Sequence, residues 1–115
     1  MPPRYIVVAS DLFVSEDLCE ILRTAEKHAQ VTAVRDLNGA CTMLSDGARV
    51  DTVFLNGGVA ETKDDRFLNL LRAQATLLVR IGGQVALTNT LTHAEISIPA
   101  PFTNESIIAV LDARR

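Results

Sequence analysis

Few residue types here are spaced for catalysis. Asp64 and Asp65 look like paired carboxylates, yet neighbours on a helix do not face each other, and both suit the positive end of a helix dipole. His28 and His93 stand alone, without Asp or Glu at helical metal spacing, so no metal site is expected. Cys19 and Cys41 lie far apart and read as small buried apolar residues. Gly57-Gly58 and Gly82-Gly83 lack phosphate-loop spacing and no suitable lysine follows, which makes them turns whose amides an anion could still reach. The remaining polar residues of interest end apolar runs: Ser10 and Asp11 after Tyr5 to Ala9, Asn56 after Thr52 to Leu55, and Arg80-Ile81-Gly82 closing Thr76 to Ile81. Ala100-Pro101 follows Ile96 to Ile98 in the same way.

Those runs are short and continuous, as befits strands buried on both faces. Tyr5–Ala9, Gln30–Arg35, Thr52–Leu55, Thr76–Ile81 and Ile96–Ile98 are the five expected strands. Between them lie helical periods. Val14, Leu18, Ile21, Leu22 and Ala25 share one face, with Ser15 as the expected cap. Asn38-Gly39 breaks the chain before a short helix that begins with Ala40 to Leu44 and ends near Asp46-Gly47. Thr62-Lys63-Asp64-Asp65 reads as a capping box, and the helix behind it places Phe67, Leu68, Leu71 and Ala75 inward. Residues 84–95 carry three threonines, an asparagine and a histidine, which predicts a weak or irregular fourth helix. Thr103 caps a last helix bearing Ile107, Ile108, Val110 and Leu111.

Strand and helix alternating five times over 1–115 predicts a single α/β domain. The fold class is flavodoxin-like, a (βα)5 doubly wound parallel sheet in the order 2-1-3-4-5. In such a sheet the site lies beyond the carboxyl ends of the strands. That position gathers Ser10, Asp11, Asn56, Arg80, Ile81, Gly82, Ala100 and Pro101.

The segment Asp51 to Asn56 and the turn Pro99-Ala100-Pro101-Phe102 resemble landmarks of the response-regulator receiver domains. The resemblance implies a phospho-accepting aspartate at Asn56, an acid pair at Ala9-Ser10 or at Ser10-Asp11, a hydroxyl near Arg80, Ile81 or Gly82, and a lysine at Ala100. Family members often have a cis bond before the proline at Pro101. Acyl phosphate formation needs a carboxylate nucleophile, a hard cation on oxygen ligands and a positive charge for the phosphoryl group. An amide at Asn56 is a poor nucleophile, and Ala100 carries no charge. The expectation is a degenerate, stand-alone pseudo-receiver, not an enzyme, with no catalytic residue, metal or cofactor. An Asp11–Arg80 ion pair is expected to occupy the crevice.

The resemblance also implies a protein partner: a kinase, a regulator or a second copy of the chain as a homodimer. The expected surface is the last helix, which offers Ile107, Ile108 and Leu111, with one or two of them left exposed. A small-molecule or anion-binding module using the crevice is the alternative reading. At 115 residues with 48% hydrophobic content, the chain can bury a core unaided. A net charge of −3, with eleven scattered basic residues, argues against direct nucleic-acid binding. No run is long enough to cross a membrane and no signal peptide is evident, so the cytoplasm is the expected compartment.

Overall fold

The computed structural model describes residues 2–56, 64–82 and 95–114. Five parallel strands form one sheet: β1 (Arg4–Val8), β2 (Gln30–Val34), β3 (Thr52–Asn56), β4 (Leu77–Ile81) and β5 (Glu95–Ile98). Their spatial order is β2-β1-β3-β4-β5, as the alternation predicts. Four helices are described: α1 (Leu12–Ala25), α2 (Leu37–Leu44), α3 (Asp65–Gln74) and α4 (Asn104–Arg114). The irregular helix expected over 84–95 lies outside the described residues, except Glu95, which opens β5.

Side chains alternate across each strand, and apolar residues on both sides give the sheet two cores. Tyr5, Val7, Phe54, Val79 and Ile81 face α1 and α4, where Leu18, Leu22, Ile107 and Leu111 meet them. The Tyr5 and Phe54 rings pack edge to face, with centroids 6.1 Å apart. Ile6, Val8, Val53, Leu55 and Leu78 face α2 and α3, against Ala40, Leu44, Phe67 and Leu71. At the amino ends of the strands, the Arg4 guanidinium donates to both oxygens of Asp46, at 3.1 and 2.7 Å. The Gln74 side chain accepts from the Val50 amide at 2.9 Å and donates to the Leu44 carbonyl at 2.7 Å. These bonds tie α2, β3 and α3 together at the end opposite the candidate site.

The helix starts differ from expectation. Asp11, not Ser15, caps α1: its carboxylate accepts from the amides of Phe13 at 2.9 Å and Val14 at 3.3 Å. Ser15 lies one turn inside the helix and is buried. Asn38-Gly39 does not break the chain; both residues sit in the first turn of α2, where Asp36 caps by accepting from the Gly39 amide at 2.8 Å. A glycine close to a side-chain cap costs less there than in mid-helix, because the first amides have no partners inside the helix. Asp64 caps α3 through the Phe67 amide at 3.0 Å; Thr62 and Lys63 lie outside the described residues. Ala75, expected to pack inward, is exposed and ends α3 with φ at 54°. Thr103 does cap α4, in a reciprocal pair with Ser106 at 3.1 and 2.9 Å.

Of the three residues offered by the last helix, one stays exposed. Ile107 and Leu111 are fully buried against the sheet, because the inward face of α4 closes the first core. Ile108 remains outside, 42% exposed.

Candidate functional site at the carboxyl ends of the strands

Strand β1 ends at Val8, and Ala9 is still buried, held by its amide donating to the Val34 carbonyl at 3.1 Å. Ser10 and Asp11 then emerge at the surface. Parallel pairing sets β3 beside both β1 and β4: Leu55 is in register with Val8 and with Arg80, and Asn56 with Ile81. Asn56 is therefore the last residue of the central strand, half-buried, with its side-chain amide at the strand end. Its neighbour Gly57 lies outside the described residues.

Arg80 does not pair with Asp11, whose carboxylate is engaged at the start of α1. The guanidinium Nε donates to Glu95 Oε1, and both side chains are about 16% exposed. The register explains the pairing: Arg80 lies opposite Ser97, so Glu95 is its diagonal neighbour on the same sheet face, within reach of a long side chain. Sequence reading missed Glu95 because its strand was expected to begin one residue later. The available signal was the spacing of Glu95 and Ser97, which alternate with Ile96 and Ile98 and so share a face.

Gly82 follows β4 with φ at +77°, a backbone state that glycine enters without strain. Its amide donates to the Ile98 carbonyl at 3.0 Å, so this one of the four glycine amides expected to greet an anion is already engaged. Gly57, Gly58 and Gly83 lie outside the described residues. A Cβ added at Gly82 would come within 3.1 Å of the Ala100 Cβ. The turns after β4 and β5 therefore touch through their smallest residues. The Ala100-Pro101 bond is cis, both residues are exposed, and Phe102 packs against the first core.

The structure thus brings Asn56, Ile81, Gly82, Ala100 and Pro101 to one edge of the sheet. It leaves Ser10 and Asp11 on the β1–α1 turn and directs Arg80 to Glu95. Among the described residues, no three His, Cys, Asp or Glu side chains are grouped to hold a metal. Cys19 and Cys41 are buried free thiols whose pKa values rise, chiefly through desolvation. No described helix is long and apolar enough to cross a membrane.

No family model and no curated protein matches the sequence. Solved structures do match it over its whole length. A response regulator receiver protein from Sinorhizobium medicae WSM419 superposes with a TM-score of 0.74 at 24% identity, covering 99% of this chain and 98% of that one. A response regulator receiver domain protein from Bacillus halodurans C-125 gives 0.71 at 15% identity, covering 100% and 98%. The chemotaxis response regulator CheY4 of Vibrio cholerae gives 0.72 at 13% identity, covering 98% of each chain. The chain has the receiver fold. At these identities the likeness is one of architecture, and the chemistry of the strand ends must be argued from this chain's own residues.

Proposed function

We propose that this chain is a pseudo-receiver, a regulatory module of two-component-type signalling that works through protein contact and accepts no phosphoryl group. The observation that carries the proposal is Asn56 as the last residue of the central strand, where the receiver likeness calls for a carboxylate nucleophile. A carboxamide does not form an acyl phosphate under the conditions in which a carboxylate does. Three further features support it. The Asp11 carboxylate accepts from two backbone amides. Ala100 supplies no cation, and Arg80, Ile81 and Gly82 supply no hydroxyl. A kinase, a regulator or a second copy would then act as the switch, by binding one conformation better than another. A cytoplasmic location belongs to the same reading.

Incubation with acetyl phosphate and magnesium, followed by intact-mass measurement, tests this. No phosphoryl adduct is expected on the wild type. None is expected on Asn56→Asp either, because the lysine position stays empty and Asp11 still caps α1. A phosphoryl group found on residue 56 of the wild type would overturn the proposal.

A further inference from the structure

Leu12 and Phe13 are consecutive large apolar residues in the first turn of α1, and they are 67% and 83% exposed. Isolated apolar side chains are common on surfaces, but a fully projecting phenylalanine beside an apolar hollow is an anchor in search of a socket. The hollow has a volume of about 250 Å3 and lies between the start of α1 and the end of β2. Leu12, Ala33 and Val34 give it apolar walls, Ser15 reaches it from α1, and Arg35 stands at its edge. Phe13, one step of roughly 100° round the helix from Leu12, is not among the lining residues. Anchor and hollow therefore sit side by side on one surface, with neither filling the other.

That arrangement suits a two-fold contact, in which the same patch serves on both partners. The charges agree with it. Glu16 and Asp17 are exposed one turn beyond Leu12 and Phe13. Arg35 is exposed and makes no hydrogen bond or ion pair among the described residues. Asp36, next to it in the chain, and Asp11, at the start of α1, already accept backbone amide hydrogens as helix caps. A copy that inserts its Phe13 brings its own Glu16 and Asp17 towards the Arg35 of the other, and the exchange occurs twice. A buried phenylalanine removes about 150–250 Å2 from water on each side.

We propose that two copies of this chain associate through α1, each seating Phe13 in the hollow bounded by Leu12, Ala33, Val34 and Arg35 of the other. The contact stands on this surface and not on the reading of Asn56, so it is tested separately from phosphoryl transfer. Sedimentation of the full chain from about 1 µM to about 1 mM is expected to show a monomer–dimer equilibrium. Phe13→Ser, a surface change that leaves the circular dichroism spectrum intact, is expected to weaken dimerisation by about 100-fold or more, since the anchor is lost twice. Arg35→Glu is expected to weaken it by about 10-fold, and Glu16→Arg with Asp17→Arg in that same chain to restore it. Ile108→Ser, on α4, is expected to change nothing. A chain that stays monomeric throughout overturns the proposal. So does a dimer that Phe13→Ser leaves intact, or one that the compensating charge reversal fails to restore.

Discussion

Asp46 shows how one side chain ties a strand to the turn that follows a helix. Its carboxylate meets the Arg4 guanidinium through two bonds and accepts from the Ala48 amide at 2.9 Å. The Arg4 hydrogen bonds first, and the Ala48 amide second, hold its pKa down at about 2. An unfolded aspartate titrates near about 3.9. The folded state therefore favours the ionised form. That stability is complete above the unfolded value and disappears as pH falls through the folded one. Asp46→Asn is expected to unfold at lower urea than the wild type at pH 7. The gap between them should close between about pH 4 and pH 2, read from paired denaturation curves at each pH. A constant gap over that range would mean that packing, not charge, holds the residue in place.

At the scale of the element, helix ends decide what the periodic pattern leaves open. Ala75 ends α3 in the left-handed region at φ 54°, with its amide donating to the Arg72 carbonyl at 3.2 Å. A Cβ is strained there, and glycine is the usual residue. Ala75→Gly is expected to stabilise the fold by about 0.5–1 kcal/mol, the relief of strain exceeding the added freedom of the unfolded chain. A raised urea midpoint with an unchanged slope is the readout. The same ends show what was legible in sequence. The inner strands were readable because their short apolar runs are buried on both faces, and Asn56 and Gly82 followed as terminators; β2 and β5, at the sheet edges, are only partly buried. The cap of α1 was misread because Leu12 and Phe13, apolar yet exposed, do not resemble an outward-facing first turn. Ser15, just ahead of Glu16 and Asp17, then looked like the cap. The hollow beside Phe13 was invisible for a related reason: its walls come from α1 and β2, which are brought side by side by the β1–β2 pairing. The Arg80–Glu95 bond likewise depends on the register of β4 against β5, which no local pattern contains.

The whole molecule is one sheet with a core on either side, and that geometry bears on cooperativity. Phe54 is fully buried under α1 and α4, and Phe67 is fully buried on the opposite face with α2. The two clusters share no side chain, but alternate residues of the same strands feed both, as Val53 and Leu55 flank Phe54. Loss of packing on one face frees strands on which the other face depends. The chain should therefore unfold in one step even though its apolar interior is divided. Phe54→Leu and Phe67→Leu each remove ring volume without adding polarity, and each is expected to cost about 1–2 kcal/mol. For a domain of this size that corresponds to roughly 4–12 °C in Tm. Both variants should keep a single transition, monitored by far-ultraviolet circular dichroism, with the denaturant slope of the wild type. If the faces were independent, Phe67→Leu would instead split the curve, melting α2 and α3 ahead of α1 and α4. The connection runs through β1, β3 and β4, the three inner strands, and β3 ends in Asn56, so a partner that bound at that strand end would stabilise both cores at once.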